Sequence, residues 1–257
     1  DAEVVRLATH ESFYISDEQI AEFERSSGYQ LEIITLGDTG SLTNKLVLTK
    51  NAPIADVVYG IDNTFASVAL DNGIVDGLKQ INYGDVCFNY DIGWFEQNNI
   101  QPPSSWRDLG KSEFKDLTVI SNPNLSSPGM AFLITTLAGF ETEAEVFAYW
   151  RSLRDNGLKV ASSWTDAYFT DFTRYGGTRP IVLSYASSPA AEIKDGKPQS
   201  KSLSTECFRQ YEYAGLIKGG SNTAGGQAVI EFLLSESFQL ALPWNMFVYP
   251  NSDVALP

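Results

Sequence analysis

Apolar residues recur along this chain in short runs that stop abruptly in polar residues, and the stretches between them carry the spacing of helices. Residues 4–9 form the first run, closed by His10-Glu11-Ser12. Ser16-Asp17-Glu18-Gln19 has the order of a capping box, opening a helix that buries Ile20 and Phe23 and stops at Gly28. Residues 30–36 read as a second strand, followed by the polar turn 37–41 and a helix through Leu42, Leu46 and Val47. Residues 55–59 are a third strand ending in Gly60-Ile61-Asp62-Asn63. A helix with Phe65, Val68 and Ala69 follows and ends near Asn72-Gly73. Strand–helix alternation of this kind predicts a parallel sheet with helices on its faces.

Residues 82–91 break the rhythm with an alternating strand that no long helix follows. Residues 102–109 predict a loop with a short helix, and 117–121 another strand. Residues 122–129 lead into an apolar helix over 130–140, with Ser127 as its N-cap and Pro128 at its first position. A helix over 143–154 carries Val146, Phe147 and Trp150. A strand over 158–161 ends in Ser162-Ser163-Trp164, and 165–175 has the pattern of an amphipathic helix. Ile181-Val182-Leu183 is apolar like a strand buried on both faces, and it runs into Ser184, Tyr185, Ser187, Ser188 and Pro189. A flexible stretch over 194–201, a strand over 207–216, a helix over 223–235 and an irregular segment over 243–249 complete the chain.

With 257 residues the chain has room for two lobes. No apolar run nears the ~20 residues of a membrane span. No signal peptide is visible before the first strand, so the chain reads as mature or trimmed. The net charge of −14 argues against nucleic acid and is compatible with a cationic ligand. One histidine and two cysteines make a His-rich or Cys-rich metal site a poor expectation. Cys87 and Cys207 read as one disulfide, two buried thiols, or a nucleophile and a bystander. Each falls in a segment expected to cross between lobes, and such segments can lie side by side; a Cys87–Cys207 bridge is therefore the expectation.

In open α/β sheets ligands sit outside the carboxyl ends of strands, so the polar strand ends are the candidate site. Ser126 and Ser127 precede a helix N-terminus, which suits a phosphate or a hydroxyl, although capping alone would explain them. Trp164 could stack on a flat heterocycle or belong to a lobe core. Tyr185 could offer a second face or a cation–π contact, and Ala186, Ser187 and Ser188 surround it with backbone and hydroxyl groups. Asp38 could accept from an amine or serve only an Asx turn.

The segments 38–46, 55–63, 122–129, 163–168 and 182–189 occur in the order and spacing seen in thiamine-binding proteins, the solute-binding components of thiamine ABC transporters, and the chain resembles that family over nearly its whole length. The resemblance implies an α/β, two-lobed periplasmic-binding-protein fold of type II with two crossover strands. It implies an exported periplasmic or cell-envelope protein that closes on thiamine or its mono- or diphosphate and delivers it to a membrane ABC permease. Such a protein is not an enzyme, has no cofactor or metal, and works as a monomer. Carried onto matching positions, the ligand contacts are Asp38 and Thr39, Ser126 and Ser127, Trp164, and Tyr185, Ala186, Ser187 and Ser188. Two positions depart from the family: His10 stands where some members have tyrosine, and Phe247 where some have tryptophan. The expected lobes are 1–84 with 217–257, and 85–216. Rival readings are a thiaminase-like transferase using Cys87 or Cys207, a ferric-ion binder and a polyamine binder.

Overall fold

The computed structural model describes residues 2–203 and 205–251. The chain begins with β1 (Val4–Thr9), α1 (Asp17–Ser27), β2 (Gln30–Thr35), α2 (Thr39–Leu48), β3 (Val57–Asp62), α3 (Ala66–Asp71) and the long β4 (Lys79–Asp91). It continues through α4 (Ile92–Asn98), β5 (Thr118–Ser121), α5 (Ser127–Gly139), α6 (Glu143–Asp155), β6 (Lys159–Ala161), the single turn α7 (Trp164–Asp166) and β7 (Ile181–Tyr185). Three short strands follow, β8 (Ile193–Lys194), β9 (Lys197–Pro198) and β10 (Ser200–Ser202). Last come β11 (Phe208–Leu216), α8 (Thr223–Leu233), α9 (Glu236–Asn245) and β12 (Tyr249–Pro250). Among the described residues no helix is long and apolar enough to cross a membrane.

The chain divides into two compact units, Asp1–Tyr83 with Gln210–Pro257, and Gly84–Arg209. It passes from one to the other within β4 and again within β11. Residues 252–257, expected to belong to the first lobe, lie outside the described residues.

In the first unit β1 pairs in parallel with β2 and β3, and β11 runs antiparallel on β3. Successive residues of β1 and β3 feed two cores. Leu7, Val57 and Tyr59 pack with Phe23, Val229 and Phe238 on one face, while Ala8, Val58 and Ile61 pack with Leu42 and Leu46 on the other. That two-sided burial is why these strands read as nearly unbroken apolar runs. The predicted capping box forms: Ser16 and Gln19 satisfy each other's backbone N–H groups, and Gly28 ends α1 at φ 78°.

In the second unit β7 pairs in parallel with β5, β5 in parallel with β6, and β4 antiparallel with β7. Ile120, Ile181 and Leu183 face Phe88, Phe132 and Trp106, whereas Val119 and Val182 face Ala167, Tyr168 and Phe172. Cys87 and Cys207 are joined as a disulfide.

Several expected elements change. β3 does not end at Tyr59 but runs to Asp62, because β11 pairs with Ile61 and Asp62 across a register shift that leaves Gly60 as the extra residue. As expected no long helix follows β4, only the two-turn α4, which Asp91 caps by accepting from Trp94 N at 3.1 Å and Asn99 closes at φ 54°. Ser127 is not the N-cap of α5 but its first residue; Ser126 is the N-cap, and its hydroxyl makes no capping bond. Residues 165–175 are not one helix. α7 passes into a π-turn (Ala167–Asp171), Phe172 becomes extended and fully buried, and a 3-10 turn (Thr173–Tyr175) follows. Extension carries Phe172 into the core beside Val119 and Val182. The stretch 194–201 is ordered as the hairpin β8–β9, turning on Asp195 and Gly196 at φ 52° and 73°, the geometry that Asp-Gly favours. The segment 243–249 is partly helical, since α9 runs through Pro243. Buried Gln239 anchors that helix by donating to Ile81 O and Leu233 O and accepting from Asn251 N, and tertiary packing overrides the proline.

Candidate functional site

In the first unit the parallel register sets Thr9 level with Thr35 and Tyr59. The carboxyl ends of β1, β2 and β3 therefore bring His10, Asp38 and Asp62 to one edge. Asp38 is the N-cap of α2, its Oδ1 accepting from Thr39 N at 2.8 Å. Thr39 is 2% exposed, and its hydroxyl donates to Gly60 O at 3.1 Å, tying α2 to β3. Gly60 has φ 99°, and a Cβ there would lie 2.1 Å from His10 Cδ2. Only glycine lets the imidazole rest against β3.

His10 Nε2 is 2.9 Å from Glu212 Oε1. The other oxygen of Glu212 accepts from Asn82 Nδ2 at 2.5 Å and lies 3.2 Å from the Tyr59 hydroxyl, which is 2.6 Å from Asn82 Oδ1. Ser12 N–H lies 3.2 Å from Nδ1, so the neutral ring carries its proton on Nε2. Burial alone would lower the His10 pKa, but the hydrogen bond and charge of Glu212, with Asp38 and Asp62 behind it, outweigh burial and raise it. Burial would raise Glu212, and its bonds from His10, Asn82 and Tyr59 outweigh that and lower it. The network gives a fixed buried carboxylate beside the edge where Asp38 sits. His10 is 5% exposed, which makes it a frame for that edge. Phe247 is a partly exposed residue at φ 54° after α9.

In the second unit the register places the ends of β5, β6 and β7 side by side, Val119 opposite Val182 and Ser121 opposite Ala161. Three loops leave this edge. After β5, an Asn122 turn leads into α5. A Cβ on Gly129 would sit 2.2 Å from Ser121 O, so glycine lets the first turn of α5 pack directly on the strand end. Ser126 and Ser127 are buried there, and neither hydroxyl has a hydrogen-bond partner among the described residues. Two uncommitted hydroxyls at the start of a helix with free N–H groups suit an anionic or hydroxyl-bearing group.

After β6, Ser163 caps α7 by accepting from Asp166 N. Trp164 then returns to β7, its Nε1 donating to Ser184 Oγ at 2.9 Å. Ser184 Oγ is 2.8 Å from Ser188 Oγ, which also accepts from Tyr185 N at 3.2 Å. The Trp164 indole is stacked on Tyr168 at 5.1 Å and 21°, and the Tyr185 ring meets it edge-on at 6.1 Å. Tyr185 O accepts from Asn89 Nδ2, and Ala186 N donates to Asp85 O, so the loop after β7 is anchored to β4. Ala186 and Ser187 are half-buried between these anchors.

Within this unit hydrogen bonds link Trp164 and Tyr185 through Ser184 and Ser188, Ala186 and Ser187 lie in the same loop, and Ser126 and Ser127 lie on the loop after β5. Asp38 and Thr39 belong to the other unit. The polar end of the 181–183 run singled out Ser184 as a hydroxyl but not its role in aiming the indole, and sequence reasoning missed Tyr168, which backs it. It also missed Glu212, Asn82 and Tyr59, whose alternation along strands is no different from that of surface polar residues. The arrangement can bind a flat ring with a polar tail. Both cysteines are bridged, so neither is a thiolate nucleophile in this oxidised form.

Residues 61–257 match the family model described as Bacterial extracellular solute-binding protein. The chain belongs to that family. This solute-binding protein is 27% identical over 252 residues to the thiamine-binding periplasmic protein of Salmonella typhimurium, a match covering 91% of this chain and 76% of the relative. The thiamine-binding periplasmic protein of Escherichia coli matches with the same identity and coverage. The solved structure of a periplasmic thiamin binding protein superposes with a TM-score of 0.87 at 24% identity, over 99% of this chain and 85% of that one. The likeness establishes the two-lobed type II periplasmic-binding-protein fold.

Proposed function

We propose that this solute-binding protein captures thiamine or its phosphates in the periplasm and passes the ligand to a membrane ABC permease, acting as a monomer and doing no chemistry on its cargo. The observation that carries the reading is the Trp164 indole, fixed at its N–H by Ser184 and backed by Tyr168 while staying partly exposed. Such a rigid aromatic surface suits an aminopyrimidine or a cationic thiazolium ring. The thiamine-binding names of its relatives supply the ligand class. In this reading Tyr185, Ala186, Ser187 and Ser188 line the same ligand, Ser126 and Ser127 take a phosphate or the hydroxyethyl end, and Asp38 with Thr39 are the contacts from the first unit. The net charge of −14 favours approach of a cation.

Calorimetric titration with thiamine, its monophosphate and its diphosphate tests the assignment. The parent should bind at least one of them with a dissociation constant below ~1 μM, about −8 kcal/mol. Replacing Ser126 and Ser127 together by alanine should erode affinity for the phosphates more than for thiamine. Equal losses for all three would remove these hydroxyls from the phosphate end.

A further inference from the structure

Glu192 follows the Ser188–Ala191 turn, immediately downstream of the candidate ligand loop. It is 8% exposed, and one of its oxygens, Oε1, accepts the Tyr168 hydroxyl. The other, Oε2, is buried and makes no hydrogen bond of its own, the Tyr175 hydroxyl is a second neighbour of the carboxylate, and no cation pairs with it among the described residues. A buried carboxylate without a counter-cation is costly. Its backbone is pinned on both sides, Glu192 N donating to Pro189 O and Gln199 N donating to Glu192 O. The Tyr168 hydroxyl remains a donor, because burial first and the Glu192 charge next push its pKa far up. Tyr168 is itself 3% exposed and stands in the π-turn Ala167–Asp171, a rare irregularity that recurs at functional sites.

We propose that Glu192 is a positioning residue for the ligand surface: by holding the Tyr168 hydroxyl in a charge-assisted hydrogen bond it fixes the ring that backs the Trp164 indole. Ser184 fixes the indole's edge, and the Glu192–Tyr168 pair fixes its plane. A neutral acceptor would hold the hydroxyl less firmly. The inference rests on the thiamine reading for its consequence in binding, but not for its geometry.

Two readouts separate those parts. The near-ultraviolet circular dichroism difference between parent and Trp164→Phe isolates the signal of the stacked indole without any ligand. It should be lost in Glu192→Ala and in Tyr168→Phe, and kept in Glu192→Gln. By calorimetry, Glu192→Ala and Tyr168→Phe should each weaken thiamine binding ~10-fold, as expected for a lost bond to a charged group. The double variant should be no weaker than either single one, and Glu192→Gln should come within ~3-fold of the parent. If Glu192→Ala does not fold, Tyr168→Phe, which removes only the hydroxyl, carries the test. Variants that melt lower but keep both the indole signal and the parent's affinity would overturn the proposal, because Glu192 would then serve stability alone. A parent that binds no thiamine would sink the functional reading, and the indole signal would still decide the positioning role.

Discussion

Removing the Cys87–Cys207 bridge should destabilise one unit and largely spare the other. Both cysteines lie in Gly84–Arg209, Cys87 within β4 opposite Ser184 and Cys207 just before β11. The bridge closes a loop across a sequence separation of 120. The chain-entropy model assigns such a loop ~5 kcal/mol of destabilised unfolded state, and native bridges commonly return ~2–4. Other ties remain in the alanine pair. Arg209 still meets Asp85 at 2.5 and 3.1 Å, and Leu203 N still donates to Phe88 O at 2.8 Å. A loss of ~3 kcal/mol is therefore expected in Cys87→Ala/Cys207→Ala. At ~4 °C per kcal/mol for a domain of this size, the melting point should fall by ~10–15 °C. Calorimetry measures the fall, and urea unfolding followed by tryptophan fluorescence locates it. Trp94, Trp106, Trp150 and Trp164 all belong to the bridged unit, leaving Trp244 alone in the other. A fall below ~1 kcal/mol, a transition that tryptophan emission does not report, or two reactive thiols in the denatured, unreduced parent would refute the reasoning.

Asp56 is 2% exposed and accepts from Arg6 N, Asn222 N and the Ser221 hydroxyl. Burial would raise its pKa, but those bonds lower it, so its stabilisation is present above the unfolded value of ~3.9 and lost as pH falls through the folded value. Asp56→Ala should cost ~3–5 kcal/mol by stranding two backbone N–H groups and should flatten the acid limb of a urea–pH series; an unchanged acid limb would contradict the clamp. Trp164→Ala should weaken thiamine binding by ~1–3 kcal/mol, Tyr185→Phe by less, and Asp38→Asn should affect thiamine more than its diphosphate. Parent-like calorimetry for a folded Trp164→Ala would place that residue in the core.

How much was legible follows from the range of each interaction. The capping box at Ser16 and Gln19 is local, and so is the αL stop at Gly28; both read directly. β3, which feeds two cores, reads as an apolar run because every one of its positions is buried. The end of β3 did not read, since Gly60, Ile61 and Asp62 become strand only through their pairing with β11 about 150 residues on. α9 hides behind Pro243 because buried Gln239 supports it from Ile81 and Asn251. The Asp195-Gly196 hairpin had a local signal that the surrounding lysines and polar residues obscured. At the candidate site the exposed aromatic and the serines stood out by type. The residues that aim them, Ser184, Tyr168 and Glu192, are joined only by the fold. Likewise, no local pattern marks Glu212 as the partner of His10.

Thermal unfolding with and without ligand decides whether the folded chain binds thiamine. At a concentration one hundred times the dissociation constant, a ligand that binds only the folded state adds ~2.7 kcal/mol. For a chain of this length that raises the melting point by ~5–10 °C. Thiamine binding requires such a rise with thiamine or one of its phosphates and none with spermidine or ferric ion. A flat response to thiamine and both phosphates, beside a clear rise with spermidine or ferric ion, would contradict it.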